Sequence, residues 1–160
     1  MTDEAPFADP FEETGLDSPI LRDMLEHWRG LAGGREFPRP RELDPIDIPW
    51  ALGRLTLIDV RGDWPDARFR FVLCGDRHVA YFGNDLTGLW LEDNPNPMVR
   101  ARAAAAYLET LRRRAPLLSL RDIVRGPRVL RHQALILPMG EPGGRVERLI
   151  VTIDFDAPET

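Results

Sequence analysis

The sequence predicts an α+β domain: one five-stranded antiparallel sheet with helices packed on one face, preceded by an N-terminal amphipathic helix. Three observations predict it. Apolar and β-branched stretches fall into two groups, 55–74 and 117–155, with the alternation that half-buried strands show. Between the groups lies an alanine-rich stretch bounded by helix start and stop signals. Ahead of both, Leu21, Met24, Leu25, Trp28 and Leu31 recur at helical spacing.

The elements follow in order. Ser18 can cap the first helix and Pro19 suits its first position, while Gly33 and Gly34 stop it. Prolines 38, 40, 45 and 49 exclude a regular helix or central strand, so 37–49 reads as an extended connector. Leu55–Val60 and Arg68–Cys74 read as a hairpin around the Gly62–Asp66 turn, with Phe69, Phe71 and Leu73 on one face. Asp76 can cap a short helix that Gly83 ends, and Asp85 to Gly88 forms a turn. Asn96 and Pro97 open a long helix through Ala103–Ala106 to about Arg114, and Pro116 prevents its continuation. Leu117–Val124, Val129–Leu137 and Glu147–Phe155 complete the sheet, with Pro138–Gly144 as a break.

The domain organisation is then a flexible acidic tail at 1–17, helix and connector at 18–53, a folded core at 54–156 and a C-terminal tail at 157–160. At 160 residues the chain is long enough for a core without disulfides or metals. A net charge of −5 argues against nucleic acid or anionic lipid as a partner. No apolar run reaches membrane-helix length, no secretory signal is visible, and Cys74 is the lone cysteine, so a cytoplasmic protein is expected. All 21 basic residues are arginine, a bias over the whole chain that locates no site.

The element order and several short motifs resemble the PAS-like family of small proteobacterial proteins. The motifs are the proline-rich Pro38–Pro49 with Asp44-Pro45, the strand ending Asp59-Val60, and Phe69-Arg70 running to Gly75. Gly83-Asn84-Asp85-Leu86-Thr87-Gly88 and Pro138 complete the set, over roughly residues 18–156. Cys74-Gly75-Asp76, Arg125 and Arg131 depart from the pattern. The resemblance implies a stand-alone sensory or adaptor domain that binds a small molecule or a protein partner and signals by association. It places a ligand pocket between sheet and helices, with Tyr81, Phe82, Trp90 and Tyr107 approaching it. It also implies that the face of Leu21, Met24, Leu25, Trp28 and Leu31 covers the chain's own sheet, a partner's, or both. A homodimer or a signalling protein is the expected partner. No output segment follows residue 156, so output is expected to pass through association.

The chemistry-bearing residues agree with binding. His27, His78 and His132 show no metal spacing, and no metal site is expected. Haem-binding relatives in the family commonly use a histidine on the long helix, which has none here; flavin adducts need a cysteine in a helical Asn-Cys-Arg context, whereas Cys74 ends a strand. The cofactor is therefore left unknown, with haem and covalent flavin disfavoured. No nucleophile elbow, P-loop or dinucleotide fingerprint is present, so an enzyme is not expected. Asp59, Asp63, Asp76 and Asp85 keep a small isomerase-like cone as the enzyme alternative, and a ligand-free interaction module as the third reading. Arg112, Arg113 and Arg114 suit the negative end of the long helix.

Overall fold

A computed structural model describes residues 16–125 and 127–155, without the side chains of 120–125 and 128–131. Five strands form one antiparallel sheet in the order β2-β1-β5-β4-β3. They are β1 (Leu55–Arg61), β2 (Arg68–Cys74), β3 (Leu117–Arg125), β4 (Arg128–Gly140) and β5 (Val146–Asp154). The helices are α1 (Pro19–Ala32), α2 (Asp76–Phe82) and α3 (Pro97–Arg113).

The helix boundaries follow from their caps. The Ser18 hydroxyl accepts the Leu21 amide at 3.4 Å, and Gly33 closes α1 in the left-handed region. The Asn96 side chain accepts the Met98 and Val99 amides at the start of α3. For α2 the cap position falls on Gly75 and not on the expected Asp76, which is the first helical residue. Gly75 is there for space: a Cβ would sit 2.5 Å from the Gly53 carbonyl oxygen.

Register sorts the sheet residues onto two faces. Thr56, Ile58, Phe71, Ala134, Val151 and Ile153 share the inner face, through the pairs Thr56–Val151, Ile58–Phe71 and Ala134–Ile153. Leu55, Leu57, Leu135, Leu137 and Ile150 share the outer face and are buried. The segments from α2 to α3 cover the inner face. Outer-face burial at the sheet centre comes from α1, which packs against β4 and β5. Leu21, Met24, Leu25 and Trp28 are all 5% exposed or less, and Leu31 is half-buried. The chain's own sheet therefore covers most of the face expected to meet a partner. Each of these burials contributes roughly 1.5–3 kcal/mol by transfer alone. The Trp28 indole N–H also donates to the Pro138 carbonyl at 2.9 Å.

Four expectations need correction. Leu73 does not share a face with Phe69 and Phe71: the register shifts between Leu57 and Ile58, and Leu73 pairs with Leu57 on the outer face. The connector is not extended: short 3-10 turns at Pro40–Glu42, Pro45–Asp47 and Pro49–Arg54 each start on a proline, whose fixed φ suits a first helical position. β4 does not break at Pro138 but runs to Gly140. β3 begins at Leu117, opposite Ile136, so β4 beyond Ile136 has a free edge, off which the Pro138 carbonyl and Gly140 amide point to Trp28 and Pro38. The missing proline N–H therefore costs no ladder bond. Finally, Leu16 belongs to the core at 0% exposure and not to a tail. The rest of the expected tails, 1–15 and 157–160, lies outside the described residues.

Candidate functional site

A largely enclosed cavity of about 30 Å³ lies between the inner sheet face and the helices. Phe71, Ala134, Val151 and Ile153 form its floor, and Val99, Ala103 and Tyr107 of α3 form one wall. His78 and Phe82 of α2 form the opposite wall, and Asn84, Leu86, Leu91 and Asn94 form the roof. Ala103 and Tyr107, four residues apart, stand on one face of α3.

Besides the Tyr107 phenol, three polar side chains line this mainly apolar space. His78 Nδ1 shares a hydrogen bond of 2.9 Å with the buried Thr56 hydroxyl. The Asn94 carbonyl accepts the Asn96 amide at 2.9 Å, and the Asn84 amide donates to the Phe82 carbonyl at 3.3 Å. That leaves Asn94 Nδ2 as a donor and Asn84 Oδ1 as an acceptor without a hydrogen-bond partner among the described residues. The lining has no carboxylate and no thiol.

The roof is held by the Gly83–Gly88 turn. Gly83 and Gly88 both take positive φ, which glycine adopts without strain. Asp85 accepts the Thr87 amide at 3.0 Å, and its hydrogen bonding to Thr87 holds its carboxyl below the usual range. The Thr87 hydroxyl accepts the Cys74 amide at 3.2 Å, tying the turn to the end of β2. Burial pushes the Cys74 thiol up, so it stays protonated and unreactive at neutral pH. Among the described residues no group of three or more His, Cys, Asp or Glu gathers to hold a metal, and no helix is long and apolar enough to cross a membrane.

Fold, cavity and turn agree with one family, and the PAS domain family matches the chain over residues 16–153. The chain belongs to the PAS domain family. The matched stretch includes α1. Two solved structures are similar to this PAS domain. The PAS domain of Bordetella pertussis BvgS shares 18% identity over 68% of this chain and 82% of its own, with a TM-score of 0.48. An RNA-binding light-oxygen-voltage receptor shares 17% identity over 72% of this chain and 33% of its own, with a TM-score of 0.43. Among curated protein sequences none matches.

Of the four residues the sequence pointed to, the PAS cavity brings together Phe82 and Tyr107. Tyr81 and Trp90 lie elsewhere. Tyr81 is the next residue on a short helix, so its ring turns to His132 and Phe155 at the end of the sheet. Its hydroxyl lies 3.4 Å from His132 Nδ1. Trp90 pairs as a β-bridge with Arg70 on the free edge of β2, which aims its ring at the outer face beneath Arg68. His78, Asn84 and Asn94 were missed as lining residues. The turn signals around both asparagines were visible, but they do not say which way a side chain points.

Proposed function

We propose that this PAS domain is a sensory module. A small, mainly apolar molecule enters the cavity and changes how the domain associates with a signalling partner. The observation that carries this reading is the pair Asn94 Nδ2 and Asn84 Oδ1. They offer one donor and one acceptor beside His78 and Tyr107 in a cavity lined mainly by apolar side chains, the usual make-up of a small-molecule site. About 30 Å³ admits a water or two. A larger ligand therefore has to lift the roof from Asn84 to Asn94. That displacement gives ligand-bound and ligand-free forms different surfaces, which is what a population-shift signal needs.

The same small volume favours a second reading, a ligand-free interaction module with a nearly filled core. Catalysis is the weaker reading, because the lining supplies His78 and Tyr107 as titratable groups but no acid to pair with them. A buried, unreactive single cysteine suits function in the cytoplasm.

Native mass spectrometry of the freshly purified chain tests the reading and reports subunit number, including a homodimer, in the same spectrum. We expect a bound small molecule, or one found by thermal-shift screening. Ala103→Leu, which fills the cavity, should abolish its binding while the circular dichroism spectrum is kept. If no small molecule binds the wild-type chain, the interaction module stands instead. Binding undisturbed by Ala103→Leu would place the ligand elsewhere.

A further inference from the structure

The outer sheet face turns from apolar to cationic beyond the reach of α1. Arg68 and Arg70 alternate with the buried Phe69 and Phe71, so both stand exposed on that face. Across the strands, Arg70 pairs with Asp59 and Asp59 with Arg148, while Arg61 lies directly opposite Arg68. Like charges directly opposed on a sheet repel. Arg148 spends its charge on Asp59 at 2.8 Å. Arg68 stacks 4.1 Å over Trp90 and meets Glu92 at 2.7 Å, a pair more than half exposed on both sides and therefore weak. Arg61 and Arg70 have no carboxylate in ion-pair reach among the described residues. Four arginines against Asp59 and Glu92 leave the strip at +2, on a chain whose net charge is −5. Val72, two residues beyond Arg70 on β2, is a 37% exposed apolar side chain.

We propose that this strip is a docking surface for an acidic protein segment that lies extended along β2. Arg68 and Arg70, two residues apart on a strand, are about 7 Å apart, the spacing of alternate carboxylates on an extended chain. Guanidinium forks take carboxylates bidentately, and Trp90 and Val72 offer a seat to an aromatic or aliphatic side chain beside them. An anion there also relieves the repulsion between Arg61 and Arg68. Two strand rows make too short a track for a nucleic-acid backbone, which favours the peptide. The surface is separate from the cavity, so it stands whether or not a small molecule binds.

The probe is a fluorescent peptide of the sequence TDEAPFADPFEET, which combines five acids with two phenylalanines. It is titrated into the full chain carrying amides at positions 3, 4, 9, 12 and 13, so that the chain's own acids do not compete. Saturable binding is expected, weakening about tenfold in the Arg61→Gln/Arg70→Gln variant. It should also weaken as salt rises from about 50 to about 500 mM. A peptide with lysine in place of each acid should not bind. Thermal melts confirm that the variant folds, and Arg61→Glu alone should give the same loss. The proposal fails if the peptide does not bind at about millimolar concentration. It also fails if binding ignores the arginine changes, or if a single-stranded oligonucleotide binds more tightly through the same arginines.

Discussion

Arg114 is the non-glycine residue with positive φ among those described, at φ 55° and ψ 38°. It caps α3, a position that glycine fills more easily. A side chain in this left-handed region costs about 1–2 kcal/mol. What holds it there is a clamp. Its guanidinium donates to Glu36 Oε2 at 2.8 Å and Oε1 at 2.7 Å, and to the Gly144 carbonyl at 2.6 Å. It also lies 5.1 Å over the Phe37 ring. The ion pair is about a third exposed and contributes about 0.5–1 kcal/mol. The charged bond to Gly144 and the ring contact add about 1–2 kcal/mol together. Arg114→Ala loses the clamp and keeps the strain, so it should cost about 1.5–3 kcal/mol. Arg114→Gly loses the clamp but relieves the strain, so it should be about 1 kcal/mol more stable than the alanine variant, against the ordinary helix preference for alanine. Urea denaturation of the three proteins measures both differences at unchanged slope. An alanine variant as stable as the glycine variant would refute the strain, and a glycine variant more stable than wild type would refute the clamp. The Glu36 carboxyl, held below its usual value first by its bond to Arg114, adds a pH signature. Its contribution is complete above the ordinary carboxylate range and drains as pH falls through it, and Arg114→Ala should erase that dependence.

Gly75→Ala should cost about 1–3 kcal/mol. Its Cβ would fall 2.5 Å from one backbone oxygen and 2.6 Å from another, although its φ is ordinary; a urea midpoint equal to wild type would show that these turns yield freely. Glu109 is held at about 2, first by its bond to Arg112 and also by Arg113. Its contribution is present above about pH 4.5 and is lost as pH falls towards about 2, so Glu109→Gln should flatten the acid limb of a stability-against-pH curve; an unchanged limb would contradict this.

Much of the fold could be read from side chains that act locally. Ser18, Asn96, Gly33 and Gly83 fix helix ends through bonds or φ values within a few residues, and alternation from Arg68 to Val72 of β2 reports burial directly, whereas β5 is buried on both faces from Leu149 to Ile153 because α1 covers its outer side. What escaped reading depends on partners distant in sequence. Pro138 looks like a strand breaker until its free edge, Trp28 and Pro38 are in place. Trp90 looks like a pocket residue until its bridge to Arg70 turns it outward. Phe82 and Tyr107 could be placed in the cavity because the family pattern sets their helices against the sheet. Asn84 and Asn94 needed the path of the roof, which loop geometry sets and periodicity does not encode.

The sheet order carries a consequence for how the chain is made. β5 sits between β1 and β4, so the strand last to leave the ribosome, among those described, is the one at the centre. Until residues 146–154 emerge, β1–β2 and β3–β4 are separate hairpins with open inner edges, each ready to pair with another chain. Folding must wait for contacts that span about a hundred residues, which slows it. Truncation from the C-terminal side should therefore abolish the fold and not trim it, because the strand removed joins the two halves.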